Sequence, residues 1–487
     1  MSIRKHTTYN LIGTILPLGI SLITIPIYID EIGVSRYGVL AIAWLLLGYF
    51  GLFDLGLGRA TAQRIAMLGK EKSAEKAETF WTALAMNSGM SVLGALLMWP
   101  VALYFFGHHF TVEGPLKPEI LAAIPWLSLA VPIATMAGVL TGTLQGCYKF
   151  LELNIISVSG SILLQTIPLA VAVLVGPDLT GLIVATILTR TLVITLLFQR
   201  CYSYVISGFK YSVSKGLAGD LLRFGGWVTV SSVVGPMMVI LDRFVIGALL
   251  GAKYVTFYTV PFQLGERSNI IPIALSSALF PRLAQAGIGP DGWMLADKAI
   301  KSLAVVITPL FLLGIFLMDW FLSIWIGREF ADQASLVGQI ILLGFWANAI
   351  ARIPHALLQA SGRPDVVAKC HLGEVLPYFA LLYIGLHFFG ISGAAIAFSI
   401  RAAVDASLLL YWAKIFKQSK SFLFFPIFLM CLGLILVRNQ YAGWVWLTTV
   451  VAVFFTSVLW AIHNMPKEIK DIVARFIPLT VAFRNGK

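Results

Sequence analysis

Polar and ionisable side chains recur at helical spacing inside a strongly apolar stretch, where they could bind a charged ligand. Steps of four, three and four residues would place four of them on one helix face: Asn348, Arg352, His355 and Gln359. A guanidinium inside a bilayer costs about 2.5–3.5 kcal/mol, so Arg352 should meet water, an anion or a counter-ion. Glu374 shares a face of the next helix with His371 and Tyr378. The pattern predicts an anion-binding wall or, alternatively, an Arg352–Glu374 ion pair across a cleft.

A second polar face lies near the start of the chain. Its members follow alternating steps of four and three residues: Asn10, Thr14, Pro17, Ser21, Thr24 and Tyr28. Such steps define one continuous face of an α-helix. Ser and Thr are common where membrane helices touch one another, so helix–helix contact is one interpretation. Because the face runs the whole length of the helix, we favour a water-filled cavity beside it.

Two pairs of adjacent opposite charges also lie in apolar segments, Asp242–Arg243 and Glu266–Arg267. Neighbouring residues of a helix point in different directions. We therefore expect at least one member of each pair to face elsewhere, into the cleft.

Further charges stand alone or at helical spacing. Asp54 and Arg59 lie in the inner half of the second predicted helix, where Arg59 could line a vestibule or extend to the lipid headgroups. Arg401 and Asp405 are four residues apart, which favours an ion pair within one helix.

The composition explains why these charges are notable. The chain has 487 residues, of which 59% are hydrophobic and 12% are charged, whereas about 25% of residues are charged in soluble domains. Too few polar residues are present to cover a water-exposed surface, so the chain must meet lipid. The four cysteines are widely separated and form no CxxC motif, so they indicate neither a metal site nor a disulfide framework.

Apolar segments of about 20 residues predict an all-α integral membrane protein with about 14 transmembrane helices. The alternative is 12, since the segment 422–437 is weak. The predicted spans are 8–29, 37–66, 80–106, 120–146, 154–175, 181–200, 225–250, 255–283, 299–321, 335–360, 370–389, 392–413, 422–437 and 443–462.

The distribution of Lys and Arg predicts the orientation of these spans. With the N-terminus in the cytoplasm, 25 of the 35 basic residues fall on the cytoplasmic side and five on the opposite side. This is the positive-inside pattern, and it places both termini in the cytoplasm. The net charge of +12 is therefore explained by topology, and no nucleic-acid partner is needed.

Short matches at an offset of 211–217 residues indicate an internal repeat. Leu144-Gln145-Gly146 corresponds to Leu358-Gln359-Ala360, and the spacing of Gly181 and Arg190 resembles that of Gly393 and Arg401. Six spans separate the halves, and an even number preserves direction across the membrane, so the repeat is parallel. We predict two six-helix lobes around a central cavity, residues 1–205 and 206–415, followed by two extra helices and a cytoplasmic tail in 416–487.

Catalytic and nucleotide-binding motifs are missing from the sequence, which contains no Walker loop, HExxH or GxSxG. No outer loop is long enough to hold the catalytic site of a glycan polymerase or ligase. The sequence thus favours a protein that is not an enzyme and needs no cofactor.

Three short motifs recur in the apolar segments: Asp54-Leu55-Gly56-Leu57-Gly58 after Gly33 and Tyr37, Asp242-Arg243 before Gly251 and Tyr254, and Phe280-Pro281-Arg282-Leu283. They resemble motifs of the polysaccharide-transporter family, the oligosaccharide-lipid flippases of the multidrug/oligosaccharidyl-lipid/polysaccharide exporter superfamily. The resemblance covers residues 5–415. It implies a flippase that moves an undecaprenyl-diphosphate-linked oligosaccharide from the inner to the outer leaflet of the bacterial cytoplasmic membrane by alternating access. The product would be a surface polysaccharide such as O-antigen, capsule or exopolysaccharide.

The resemblance also implies roles for individual residues. Cavity arginines would meet the diphosphate or acidic sugars, with Arg352 first and Arg267, Arg59 and Arg243 behind it. Coupling to a proton or sodium gradient is implied, with four candidate acids: Asp54, Asp242, Glu266 and Glu374. Other glycan-assembly membrane proteins are possible partners.

Two other functions compete with the flippase. A multidrug–cation antiporter of the same superfamily would use the intramembrane acids to bind cationic drugs, but the Arg352 face argues against it. A non-transporting scaffold for glycan assembly would have no use for polar faces through the membrane.

Overall fold

The computed structural model describes the backbone of residues 3–49, 56–69, 72–112, 115–438, 443–466 and 470. Side chains are described for the same residues except 3–15, 49, 223–236 and 239. The described residues fold into helices joined by short turns, with no strand among them. Apolar, helix-favouring sequence and internally satisfied backbone hydrogen bonds are what a lipid environment requires.

The helices, in chain order, are α1 (Ile3–Tyr49), α2 (Leu57–Met67), α3 (Ser73–Tyr104), α4 (Leu116–Gly146), α5 (Phe150–Leu174), α6 (Leu179–Cys201), α7 (Lys215–Leu249), α8 (Ala252–Arg267), α9 (Ile270–Ala286), α10 (Pro290–Trp325), α11 (Arg328–Ala360), α12 (Pro364–Trp412), α13 (Phe416–Arg438) and α14 (Trp444–His463). Ten stretches of the described helices are long and apolar enough to cross a membrane. The prediction of an all-α integral membrane protein is confirmed.

Helix α1 reverses direction at Gly33, whose backbone angles are φ 79° and ψ 159°. The rings of Tyr28 and Trp44 lie 5.3 Å apart on either side of it. Sixteen residues of unbroken helix would separate them by about 24 Å, so α1 is a hairpin of two arms. Glycine is suited to this position because φ is positive.

Helix α12 is a second hairpin and reverses at Gly390, with φ 56° and ψ −143°. Its arms, 364–389 and 391–412, approach most closely near the turn. A Cβ on Gly385 would collide with the carbonyl of Gly393, and a Cβ on Gly393 would collide with that of Gly385. The absent side chains therefore allow backbone contact between the two arms.

One predicted span is divided in the structure, and a second lies partly outside the described residues. The span 255–283 is divided at 268–269, where the N–H groups of Ser268 and Asn269 bond to carbonyls three residues earlier instead of four. The span 37–66 consists of the second arm of α1 and α2, and residues 50–55 between them lie outside the described residues.

The chain divides into two compact units, residues 1–256 and 257–487. In the first, α2, α3, α4 and α6 enclose an apolar core that includes Leu57, Phe80, Leu140 and Leu197. In the second, α11 is the central helix. In the most apolar 18-residue stretch of α11, 83% of the residues are buried, whereas the corresponding share is at most 50% in the other candidate spans.

Residues with a left-handed backbone recur along the chain. Tyr148 and Gly362 have φ 59° and 74°, and Gly176 and Gly390 have φ 140° and 56°. The two residues of each pair are separated along the chain by a distance within the 211–217 residue offset of the sequence matches. Each of the four residues follows the end of a helix or lies at the turn of a hairpin. This recurrence supports the internal repeat, while the boundaries 1–205, 206–415 and 416–487 remain a prediction.

Candidate functional site

Helix α11 and the two arms of α12 bring six ionisable side chains together inside the second unit. This charged cluster consists of Arg352, His355, His371, Glu374, Arg401 and Asp405. Arg352 and His355 lie on α11, one helical turn apart. On α12, His371 and Glu374 lie on the first arm, and Arg401 and Asp405 lie on the second. The reversal at Gly390 therefore decides which charges meet.

Glu374 and Asp405 are the two acids of the charged cluster, and their side chains are only 6% and 10% exposed. Arg401 Nη1 lies 3.9 Å from Glu374 Oε2, and His371 Nε2 lies 3.5 Å from Asp405 Oδ1. The two carboxyl groups also lie within interaction range of each other. Both Glu374 oxygens lack a hydrogen bond to any described residue. The acids are thus buried, adjacent and incompletely paired.

Arg401 is held by aromatic rings as well as by charge. Its guanidinium lies 5.6 Å from the ring centre of Tyr378 and 5.7 Å from that of Phe398. Stacking of this kind stabilises a cation where little water is present. It fixes the guanidinium beside Glu374 without a short hydrogen bond.

Arg352 is half-buried, and Asp405 is the acidic side chain that interacts with its charge. Its Nε is buried without a hydrogen bond among the described residues. Next to it, the ring of His355 stacks on that of His371 at 6.2 Å. The alternative of an Arg352–Glu374 ion pair is wrong, because Glu374 pairs with Arg401. The expected ion pair between Arg401 and Asp405 within one helix is also not formed. Arg401 pairs instead with Glu374, and Asp405 with His371, both on the other arm of α12.

The remaining members of the predicted face on α11 have other environments. Asn348 Nδ2 donates to Asn269 Oδ1 at 3.3 Å, and Gln359 is exposed at the end of the helix. Of the four residues predicted to share this face, Arg352 and His355 alone belong to the charged cluster in the part of the chain described.

The polar face of α1 packs against α5 over its described second half. Thr24 Oγ1 donates to Gln165 Oε1 at 3.2 Å, and the Tyr28 hydroxyl donates to the Gln165 carbonyl at 2.8 Å. Ser21 Oγ donates to the Leu18 carbonyl of its own helix. At Thr24 and Tyr28 the polar groups therefore serve helix–helix contact, the interpretation we had not favoured. The side chains of Asn10 and Thr14 lie outside the described residues.

Asp242 and Arg243 form a buried ion pair of 2.7 Å, with side-chain exposures of 1% and 2%. The two side chains meet although adjacent residues of a helix point in different directions, because the guanidinium is long enough to reach its neighbour. The expectation that one of them also faces the cleft stays a prediction. Glu266 and Arg267 are exposed at the end of α8, Arg59 is exposed on α2, and Asp54 lies outside the described residues. Among the described contacts, the charged cluster includes none of the five described residues Asp242, Arg243, Glu266, Arg267 and Arg59.

A cleft of about 470 Å³ gives access to the charged cluster. It runs between the two arms of α12, and its walls include Glu374, Tyr378 and Arg401. Among the described residues, no group of three or more His, Cys, Asp or Glu side chains could hold a metal ion. The side chains of the charged cluster are of the types that bind charged groups and transfer protons.

A family described as polysaccharide biosynthesis protein matches residues 32–335 of the chain. The chain belongs to this family. The resemblance noted in the sequence is thereby confirmed.

Relatives of this polysaccharide biosynthesis protein agree with the assignment. The putative O-antigen transporter of Shigella flexneri is 31% identical over 419 residues, covering 85% of this chain and 97% of the relative. The lipid II flippase MurJ, in an inward closed conformation, has a TM-score of 0.73 at 14% identity and covers 96% of this chain and 100% of that one. An inward-facing MATE family multidrug resistance transporter has a TM-score of 0.68 at 16% identity, over 84% and 99%. The two structures show the fold alone.

Proposed function

We propose that this member of the polysaccharide biosynthesis protein family is a flippase for a lipid-linked oligosaccharide. It would move an undecaprenyl-diphosphate-linked repeat unit from the inner to the outer leaflet of the bacterial cytoplasmic membrane. The observation that carries the proposal is the end-to-end match to a putative O-antigen transporter, over 97% of that relative. The surface polysaccharide would be built from the units delivered in this way.

The charged cluster supplies a physical basis for this transport. A sugar diphosphate cannot cross hydrocarbon unaided, because its polar groups would lose their hydrogen bonds to water. Arg352 and Arg401 could bind phosphate oxygens with paired N–H donors. The buried, unbonded Nε of Arg352 has a donor to offer.

The same cluster is a candidate for ion coupling. The carboxyl groups of Glu374 and Asp405 are buried on facing arms of α12, where they can accept a proton or bind a cation. We assign proton binding to Glu374 and Asp405, and an inward-directed gradient would then return the empty transporter. Sodium is the alternative ion. A protonophore and a sodium ionophore, applied separately to cells that export the glycan, distinguish the two.

Transport of cationic drugs is a second candidate function, since buried carboxylates suit a cation. The likeness to a multidrug transporter fold keeps it in consideration. A drug transporter would lower the sensitivity of cells to cationic dyes, and the loss of Glu374 would abolish that protection. A flippase would leave dye sensitivity unchanged.

The experiment that tests the flippase is deletion of the gene followed by complementation with variants. Deletion should trap the undecaprenyl-linked oligosaccharide on the cytoplasmic face. Arg352→Ala should fail to restore export, and Arg352→Lys should restore part of it, because lysine offers a point charge instead of a planar fork. Arg328→Ala is the matched control, since Arg328 is exposed and pairs with Asp319 and Asp332.

Two outcomes would contradict these assignments. If deletion leaves the oligosaccharide on the outer face, the chain is not the flippase. If Arg352→Ala combined with Asp405→Asn exports glycan normally, then Arg352 only balances the charge of Asp405 and does not bind substrate.

A further inference from the structure

The cleft between the arms of α12 continues beyond the charged cluster to the end of the hairpin. Its apolar walls include Val366, Val404, Leu408 and Trp412. Val404 and Trp412 are 45% and 47% exposed. Exposed apolar side chains on a membrane-spanning hairpin are suited to contact with lipid, and on this basis we take the cleft to be open to the hydrocarbon along one side. We refer to this stretch as the α12 groove.

A separate polar pocket adjoins the α12 groove where α11 ends and α12 begins. It has a volume of about 470 Å³ and includes Ser361, Arg363 and Lys414. Arg363 and Trp412 line both the pocket and the groove. The Ser361 hydroxyl is buried without a hydrogen bond to any described residue. The polar pocket, which contains a hydroxyl without a hydrogen-bond partner among the described residues, is therefore continuous with the apolar α12 groove.

The charges around this junction are mainly positive. Arg363 and Lys369 share one acid, Asp365, at 3.8 Å and 3.3 Å. Lys414 adds a further cation to the pocket. Basic pockets between membrane helices are suited to the phosphate groups of lipids.

The length of the α12 groove indicates what kind of chain it would hold. Helical rise between Arg363 and Glu374 is about 16 Å, close to half of the 30 Å hydrocarbon core. The groove then reaches Glu374 and Arg401, a charged floor that an apolar chain would not pass. One acyl chain of a single leaflet fits this distance, whereas most of a much longer polyprenyl chain would lie outside the groove.

We propose that the polar pocket and the α12 groove together bind one anionic glycerophospholipid of the leaflet at which α12 begins. Its phosphate lies against Arg363 and Lys414, and one acyl chain lies between the arms of α12. The Ser361 hydroxyl donates to a phosphate oxygen. The lipid phosphate lies at the far end of the groove from Arg401, and the bound lipid would let the composition of the leaflet act on the hairpin that carries the charged cluster.

The first test compares lipids on the purified full-length protein in a neutral detergent. Phosphatidylglycerol, phosphatidylcholine and undecaprenyl phosphate are added separately, and the midpoint of thermal unfolding and the bound mass are measured. A ligand that binds the folded state raises the midpoint. We expect phosphatidylglycerol to raise it more than the other two and to remain bound in native mass spectrometry. Equal effects of phosphatidylglycerol and phosphatidylcholine would overturn the proposal. A larger effect of undecaprenyl phosphate would make the lipid carrier the occupant instead.

Variants then locate the bound lipid. The double variant R363Q/K414Q removes the phosphate contacts, and its matched control is Lys420→Gln, an exposed lysine outside both the pocket and the groove. Gly373→Leu fills the groove, because a Cβ at Gly373 meets no atom within 4 Å. Its control is Ala403→Leu, on an exposed face of α12 outside the groove.

We expect R363Q/K414Q and Gly373→Leu each to lose at least half of the rise caused by phosphatidylglycerol. Both controls should keep it. Midpoints measured without added lipid report folding separately, so a misfolded variant is recognised. If both test variants fold and retain the full rise, the lipid does not bind here. These readouts need no glycan transport, so they stand whether or not the proposed flippase activity is found.

Discussion

Glu374 and Arg401 stand on opposite arms of α12 and approach to 3.9 Å, although both lie in a segment apolar enough to span a membrane. The contact is long for an ion pair, and neither Glu374 oxygen accepts a hydrogen bond from a described residue. In a medium of low dielectric constant, Glu374 depends on Arg401 as its counter-charge, whereas Arg401 also stacks on the rings of Tyr378 and Phe398. Such a pair can exchange its partner for an incoming ion more readily than a short, fully bonded one.

Removing one charge from this pair should cost more than removing both. Arg401→Gln removes the cation beside the buried Glu374, and at a pH where Glu374 is ionised we expect a loss of about 3–5 kcal/mol in the free energy of unfolding. The double variant R401Q/E374Q should recover most of that loss. Thermal unfolding in detergent measures it, with Lys417→Gln, an exposed lysine on α13, as the control. A double variant as unstable as the single one would mean that the two charges do not depend on each other.

The ion pair between Arg36 and Glu119 should stabilise the first unit. Arg36 Nε and Nη2 donate to the two Glu119 oxygens at 2.8 Å and 2.6 Å, and the side chains are 29% and 19% exposed. Two parallel bonds in a half-buried place contribute more than a surface pair. Arg36→Gln should therefore lower the free energy of unfolding by about 1–2 kcal/mol.

The control for Arg36 lies on the same turn as its partner. Lys117→Gln changes an exposed charge next to Glu119 and should leave stability unchanged. The charge swap R36E/E119R should be more stable than Arg36→Glu alone. If the swap gives no rescue, the stability at this site comes from something other than the ion pair.

Close packing of α2 on α4 should depend on Gly142. A Cβ at this position would collide with the carbonyl of Gly58. Gly142→Ala should therefore destabilise the first unit by about 1–3 kcal/mol, despite the better helix propensity of alanine. The control is Gly89→Ala on α3, where a Cβ meets no atom within 4 Å. We expect that variant to unfold at the same temperature or slightly higher, and equal effects of both would contradict the packing role of Gly142.

The elements that could be predicted from sequence are those set by one-dimensional signals. Long apolar segments predict helices, because lipid leaves the backbone no other partners. The faces of α11 and α12 that carry Arg352 and Glu374 were also predictable, since helical spacing alone defines them. The membrane class and the candidate cluster follow from these signals.

The pairing of charges could not be predicted in the same way. It depends on where α12 turns back, and Gly390 is one of 43 glycines in the chain. Once the turn is known, Glu374 faces Arg401 and His371 faces Asp405. The Asp242–Arg243 pair was missed for another reason: side-chain length lets adjacent residues meet although their Cβ atoms diverge. The role of Thr24 and Tyr28 depended on a partner, Gln165, that lies far away in sequence.

Labelling of Cys147 should test both the orientation of the chain and the environment of this thiol. Cys147 lies in the turn between α4 and α5, which the positive-inside pattern places in the cytoplasm. In a variant with the other three cysteines replaced by serine, an impermeant maleimide should label it only after the cells are opened. Labelling of intact cells would place the turn outside and reverse the predicted topology.

The rate of that labelling should also rise steeply with pH. Burial raises the pKa of the Cys147 thiol, and the nearby Lys76 and Lys149 only partly oppose this. Because the thiolate is the reactive form, a raised pKa leaves less of it at pH 7 and moves the increase in rate to higher pH. An exposed reference thiol is provided by Lys72→Cys in a background that also carries Cys147→Ser. In membranes opened to the reagent, Cys147 should react more slowly than this reference at pH 7, and the gap should narrow as the pH approaches 9. A constant ratio of the two rates across this range would show that access, and not ionisation, limits Cys147.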